Sequence, residues 1–193
     1  MTSDNGSPPD IRGRVSNLPL RGFKHELWEG GVRVPALVIG EGAVGLPVVG
    51  AAATSALWHS ADWLPTLLVH AAGTKDPSIG AAGPLDGVDQ WSTLIAAAPD
   101  GEAAAGSGGT AASWPRQELL HNIDTSASPV RDFFAGLRTA DGLKYVAMHD
   151  GTELLFNVTA DPTEAHDLAA SSKNRGVRQI LQHFLLLFRP LSL

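Results

Sequence analysis

The 193-residue chain carries 20 Asp and Glu against 14 Lys and Arg, and its net charge of −6 argues against an extended nucleic-acid-binding surface. Its 44% hydrophobic content is typical of a globular protein, and its length suits one domain with a core or one domain and part of another. The chain contains no cysteine, which excludes disulfides, thiolate metal sites and cysteine nucleophiles. We find no apolar run of membrane-spanning length, and the opening stretch MTSDNGSPPD lacks the apolar centre of a signal peptide.

The first half of the chain is predicted to form a loop, a strand and two helices. Residues 1–31 are interpreted as loop, and the apolar run over residues 32–39, VRVPALVI, predicts a strand buried on both faces. A helix is predicted between Asp62, which can cap it, and Gly73, which ends it. The predicted apolar face of this helix consists of Leu64, Leu67, Leu68 and Ala71. A short second helix is predicted over residues 88–95.

The second half has the pattern of a small antiparallel sheet. A low-complexity stretch within residues 99–115 separates it from the first half and is interpreted as a linker or insertion. Asp141-Gly142 and Asp150-Gly151 are strong hairpin signals between short apolar runs. The strands are predicted over residues 119–123, 133–138, 143–147 and 154–158. A last amphipathic helix over residues 174–188 is predicted to pack on the sheet, so the fold class is α/β.

Two short segments carry residues suited to an ionic site. Asp4 and Asn5 offer a carboxylate and a carboxamide, which are hard oxygen ligands of the kind that Ca²⁺ or Mg²⁺ binds. The same residues precede a glycine, and Asn-Gly is also a common turn. Lys24, in the dense loop PLRGFKHELWEGGVRVP, is either an oxyanion ligand for a group such as sulfate or a solvated surface lysine.

The other charged and aromatic residues of this loop are interpreted as structural. Arg21 and Arg33 are either further anion ligands or, as the favoured interpretation, structural residues that pair with a carboxylate such as Glu26 or Glu29. Trp28 either packs against the loop or stacks on a substrate.

The order of the motifs resembles that of the type I sulfatases, with the arylsulfatase B group as the nearest match. The motifs are, in chain order, S-D-N-G, L-P-L-R-G-x-K, L-W-E-G-G-V-R-V-P-A, D-W-L-P-T-L-L, P-L-D-G-V-D-Q-W, E-L-L-H-N-I-D, G-L-R-x-x-D-G-L-K-Y-V and L-L-F-N-V-T-A-D-P-T-E-A-H-D-L-A. Each motif is weak alone, whereas this number in one order is specific. The resemblance covers nearly the whole chain.

The resemblance implies a fold and a division of the chain. Residues 1–98 would be the carboxy-terminal part of an alkaline-phosphatase-like α/β/α sulfatase domain, which carries the catalytic site. Residues 99–115 would be a linker, and residues 116–193 a small antiparallel carboxy-terminal subdomain with one packing helix. Members of the family are usually secreted or lysosomal.

The resemblance also implies an activity and its site. The family hydrolyses sulfuric esters, here aryl or carbohydrate sulfates, with a Ca²⁺ ion in the complete site. By position, Asp4 and Asn5 match the second pair of calcium ligands, and Lys24 matches the lysine that contacts the substrate sulfate.

The chain departs from the family pattern in the part that carries the nucleophile. The family makes a formylglycine from Cys or Ser in C/S-x-P-x-R, and this motif is absent. Residues 127–131, ASPVR, keep the spacing with alanine at the nucleophile position. The isolated chain is therefore expected to be inactive. The alternative is a non-catalytic truncated or decayed sulfatase-like binding module, and a phosphatase or phosphodiesterase of the same superfamily is disfavoured.

Overall fold

A computed structural model describes residues 1–9, 16–39, 54–70, 73, 85–96, 113–123, 132–171, 174, 176 and 179. The chain divides into two compact units, of which the first joins Met1–Leu37 to Leu120–Leu193 and the second is Val38–Leu119. The predicted domains divide the chain differently and stay a prediction. Most of the predicted linker and of the predicted last helix lies outside the described residues. None of the described helices is long and apolar enough to cross a membrane.

A four-stranded sheet with the order β1-β2-β3-β4 forms the body of the first unit. The strands are β1 Glu118–Ile123, β2 Phe133–Thr139, β3 Leu143–Met148 and β4 Glu153–Asn157. β3 pairs antiparallel with both β2 and β4, as the two hairpin signals predict. Gly142 in the first turn has φ +95°, a conformation that L side chains rarely adopt. The predicted strands are confirmed, and the combination of this sheet with short helices agrees with the predicted α/β class.

Both faces of the sheet are buried, because the strand residues alternate between two clusters. Leu137, Tyr145 and Leu155 pair across three strands and form one cluster with Ala135 and Ala169. The opposite cluster comprises Leu27, Trp28, Phe133, Val146, Phe156 and Val158. Here the Trp28 ring contacts Phe133 and Phe156 edge-on, with centroid distances of 5.3 and 5.8 Å. The amino-terminal segment thus covers one face of a sheet whose strands begin 90 residues after Trp28 in the sequence.

The predicted strand over residues 32–39 is wrong. Glu29–Val32 forms a short helix, α1, and the following residues make one isolated antiparallel bridge, between Thr2 and Ala36. The Leu37 N–H donates to the Met1 carbonyl at 2.7 Å, so the described pairing is limited to residues 1–3. A doubly buried strand needs a neighbour on each edge and a layer on each face, and in this structure Ile39 is 83% exposed.

The second unit contains a 3₁₀ turn at Ser60–Asp62 and two helices, α2 Trp63–His70 and α3 Trp91–Ala96. The N-cap of this helical segment is His59, so the predicted capping position of Asp62 is wrong; Asp62 instead closes the capping box, because its Oδ2 accepts from the His59 N–H at 2.8 Å. The second predicted helix is confirmed as α3. The predicted apolar face of α2 is wrong, since Leu64 and Leu67 are 53% and 43% exposed.

The buried side of α2 is partly polar. Pro65 and Thr66 are buried there, and Thr66 Oγ1 accepts from the Gln90 N–H at 3.0 Å. Thr66 also donates to the Asp62 carbonyl at 2.6 Å. Hydrophobic periodicity cannot detect such a face, because its polar groups are satisfied by one another and not by water.

Candidate functional site

The amino-terminal segment that carries Asp4 and Asn5 is fixed against the turn of α1. The Gly6 N–H donates to the Gly31 carbonyl at 3.0 Å, and a Cβ on Gly6 would lie 1.8 Å from the Gly30 carbonyl oxygen. This close approach excludes any side chain at position 6. Asp4 is exposed and Asn5 is partly exposed, so both side chains are accessible.

The lysine loop is held to the same segment through the backbone of Ser7. The Lys24 N–H donates to the Ser7 carbonyl at 3.0 Å. Within the loop, the Phe23 N–H donates to Glu26 Oε2 at 2.9 Å, and the Glu26 N–H donates to the Phe23 carbonyl at 3.0 Å. Lys24 is partly exposed, and no carboxylate of the described residues forms an ion pair with it. The Lys24 backbone is therefore hydrogen-bonded to Ser7, which follows Asp4 by three residues in the sequence.

Asn17 connects the two segments and is a residue that the sequence analysis missed. Its Oδ1 accepts from the Ser7 N–H at 2.8 Å. Its Nδ2 donates to the Ser7 carbonyl at 3.2 Å and to the Gly22 carbonyl at 2.9 Å. No local pattern marks this role, because an asparagine in a polar loop is also the ordinary residue of a turn.

A buried charged cluster contains one residue of the lysine loop, Glu29. Glu29, Lys144 and Glu164 are each 0% exposed. Lys144 Nζ lies 3.1 Å from Glu29 Oε1 and 2.8 Å from Glu164 Oε1, the second contact being an ion pair not aligned for a hydrogen bond. Arg138 adds a second cation, 2.9 Å from Glu29 Oε2. Lys144 and Arg138, with Arg33 at 3.9 Å from Glu29, thus balance two buried carboxylates that would be costly to leave unpaired.

Glu164 contacts the loop at two points. Its Oε2 accepts from the Glu29 N–H at 2.6 Å, and its backbone carbonyl accepts from Arg21 at 3.1 Å. Burial raises the pKa of the Glu164 carboxyl above its ordinary value, although the neighbouring charge of Lys144 opposes this shift.

Arg21 and Trp28 form the link between the loop and the sheet. The Arg21 guanidinium lies 3.6 Å from the centroid of the Trp28 ring. The expected pairing of Arg21 with a carboxylate is therefore replaced by a ring contact and a carbonyl, whereas Arg33 does lie 3.9 Å from Glu29 as expected. Trp28 is 7% exposed and packs in the sheet cluster, so its interpretation as a packing residue is confirmed.

A second polar cluster belongs to the second unit and surrounds Asp62. Asp62 is 0% exposed, and it accepts from Arg116 Nε at 2.8 Å and from the Val88 N–H at 2.9 Å. Burial alone would raise the pKa of Asp62, but the hydrogen bonds from Arg116, His59 and Val88 and the Arg116 charge together lower it below its ordinary value. Asp62 therefore joins three separate sequence segments as an anion.

The described residues do not make a complete calcium site. Asp4 and Asn5 offer two oxygen-bearing side chains, whereas Ca²⁺ takes six to eight oxygen ligands. In the part of the chain that the structure describes, no group of three or more His, Asp or Glu side chains could hold a metal ion.

Comparison with known proteins identifies a relative among the sulfatases. Over 125 residues, which are 64% of this chain, the sequence is 38% identical to arylsulfatase J of Mus musculus. The match covers 17% of that protein, so the chain spans less than a fifth of the length of this curated relative. No protein-family model matches the chain. The similarity supports a relationship of this chain to the sulfatase family.

Proposed function

We propose that this chain is the carboxy-terminal portion of an arylsulfatase-type sulfatase. The motif order and the 38% identity to an arylsulfatase support this assignment. In this proposal the chain contains the end of an alkaline-phosphatase-like domain, followed by the small sheet, and the arylsulfatase B group is the nearest in motif pattern. The observation that carries the proposal is the bond from the Lys24 N–H to the Ser7 carbonyl, because it joins the two segments that would share one site.

The proposed substrates are aryl or carbohydrate sulfate esters. Lys24 would bind the sulfate group, because an ammonium ion is a compact point charge that can neutralise an oxyanion. Asp4 and Asn5 would supply two of the oxygen ligands of a Ca²⁺ ion, and the remaining ligands would come from other parts of a longer protein. The bound ion would add positive charge near the sulfate.

The isolated chain would not hydrolyse sulfate esters. A covalent intermediate needs a nucleophile, and the sequence has neither a cysteine nor the serine form of the family motif. The second candidate function, a non-catalytic binding module of truncated or decayed origin, is favoured by the same observation. The two candidates differ in the size of the protein that the cell makes.

The test begins with an immunoblot of the source cells, using an antibody against residues 154–169. A product much larger than 20.2 kDa that hydrolyses 4-nitrophenyl sulfate supports the proposal. In that product, Lys24→Ala should lower turnover about a hundredfold, as loss of one charge-stabilising donor does. Arg33→Ala is the matched control and should change turnover less than about threefold, because Arg33 is exposed and only weakly paired.

Two results would contradict the proposal. A product of 20.2 kDa alone would favour the binding module. Unchanged turnover in Lys24→Ala would remove Lys24 from the site, whatever the size of the protein.

A further inference from the structure

We propose that Asn17 is a positioning residue that sets the place of Lys24 relative to Asp4 and Asn5. This inference rests on the proposed function, since it concerns the same site. It starts from the three hydrogen bonds of one side chain, which reach two segments on either side of it in the sequence.

The Asn17 carboxamide binds Ser7 in the way that a neighbouring strand would. It accepts from the Ser7 N–H at 2.8 Å and donates to the Ser7 carbonyl at 3.2 Å. The same carbonyl accepts from the Lys24 N–H at 3.0 Å. Asn17 Nδ2 and the Lys24 N–H therefore donate to the same oxygen atom of Ser7. A displacement of Ser7 consequently moves the lysine loop with it.

The second donor bond fixes the other side of the loop. Asn17 Nδ2 donates to the Gly22 carbonyl at 2.9 Å, and the Leu20 N–H donates to the Asn17 carbonyl at 2.8 Å. Lys24 is thus held at Gly22 and at its own N–H, two residues apart. A lysine side chain is long and flexible, so the direction of its charge depends on how rigidly its backbone is held.

This arrangement requires a carboxamide. An aspartate at position 17 could still accept from the Ser7 N–H, but it would place a carboxylate against the Ser7 and Gly22 carbonyls, where two donor bonds are lost. Each lost bond leaves an acceptor unpaired or repelled, which destabilises the arrangement that holds the loop. Asn17→Asp is consequently a nearly isosteric change that removes the two hydrogen bonds donated by Asn17 Nδ2 to the two segments.

Asn157 provides a matched control for this substitution. Its Oδ1 accepts from the Thr159 and Ala160 N–H groups at 3.2 and 3.1 Å, and an aspartate would accept both. Asn157→Asp should therefore leave the lysine loop unchanged.

The first measurement is amide hydrogen exchange of the chain by NMR. Asn17→Asp should raise the exchange rates of the Ser7 and Lys24 amides about tenfold or more, which corresponds to about 1.4 kcal/mol. The exchange of the Tyr145 and Val146 amides in the sheet should not change. Asn157→Asp should have no effect on any of these four amides. An unchanged Lys24 exchange rate in Asn17→Asp would overturn the inference.

The second measurement is a double-mutant cycle on sulfate-ester hydrolysis by the longer protein. Asn17→Asp should lower turnover about tenfold when Lys24 is present and less than about twofold in the Lys24→Ala background, because its effect passes through the lysine. Equal losses in both backgrounds would mean a general structural defect and would overturn the inference. If no longer protein exists, the proposed function fails, and the exchange rates alone decide whether Asn17 holds the loop.

Discussion

Lys144 Nζ lies 2.8 Å from Glu164 Oε1, and neither side chain is exposed to solvent. Glu29 lies 3.1 Å from the same ammonium group, so one cation serves two carboxylates from segments on either side of it in the sequence. Glu29 is the first residue of α1 and lies five residues after Lys24 in the same loop, and Glu164 follows the last strand of the sheet. This shared cation joins the loop of the candidate site to the sheet.

Replacing Lys144 by methionine should strongly destabilise the first unit. Methionine keeps the volume of the side chain but leaves Glu164 without its cation and leaves Glu29 with Arg138 and the more distant, exposed Arg33. Breaking a buried ion pair costs about 3–5 kcal/mol, and we expect urea denaturation at neutral pH to show a loss of that size. Lys24→Met is the matched control, with an expected change within about 0.5 kcal/mol. A loss in Lys144→Met no larger than in the control would contradict this account of the cluster.

Asp62→Asn should lower stability at neutral pH and change how stability depends on pH. The folded pKa of Asp62 lies below its ordinary value of 3.8, so folding favours the ionised form. Its contribution is therefore complete above that value and is lost as the pH falls through the folded pKa. We expect a deficit of about 3 kcal/mol in Asp62→Asn between pH 5 and 7 that shrinks below about pH 4. Denaturant titrations of both proteins across this range measure it, and a deficit that does not change with pH would refute the assignment.

Gly6→Ala should displace the segment that carries Asp4 and Asn5. The added methyl group would lie 1.8 Å from the Gly30 carbonyl oxygen, and that atom is backbone and cannot rotate away. We expect a loss of about 1–3 kcal/mol, together with faster exchange of the Lys24 amide. Gly176→Ala is the control, because nothing lies within 4 Å of a Cβ built at that position. Equal stability of the two variants would show that the segment is not fixed where the structure has it.

Thr66→Val should destabilise the second unit more than Leu67→Ala does, although Leu67 is the larger apolar residue. Thr66 is buried and accepts from the Gln90 N–H, which valine would leave without an acceptor at a cost of about 1–3 kcal/mol. Leu67 is 43% exposed, so its truncation should cost less than about 1 kcal/mol. Thermal unfolding of both variants measures which substitution costs more stability. A larger loss in Leu67→Ala would support the apolar face that periodicity predicts.

Local sequence signals were enough to predict the strands of the sheet. The elements that they did not predict depend on contacts between segments that are distant in the sequence. The Asp-Gly turns at 141–142 and 150–151 specify hairpins within a few residues, so β2, β3 and β4 follow directly from the sequence. An apolar run such as residues 32–39 has no such local signal, because its conformation depends on which segments are beside it. Thr66 was missed for a related reason, since a buried polar group is stable only with partners that the sequence does not indicate.

The residues of the candidate site likewise include some that the sequence alone indicates and some that only the structure shows. Asp4, Asn5 and Lys24 stood out because their side chains suit ions and because their motifs resemble a family. Asn17 did not stand out, since its partners Ser7 and Gly22 lie ten and five residues away along the chain with no periodic relation. The contact of Glu29 with Glu164 spans 135 residues and could be found only by folding the chain.

The first unit is discontinuous in sequence, and this has a consequence for its synthesis. Arg21 and Glu164 are separated by 143 residues, and a ribosome adds about 5–20 residues per second. The amino-terminal segment must therefore wait on the order of ten seconds after its own synthesis before its final contacts exist. During that interval Leu27 and Trp28 have no sheet to cover, so this part of the nascent chain is an apolar segment that a chaperone can bind.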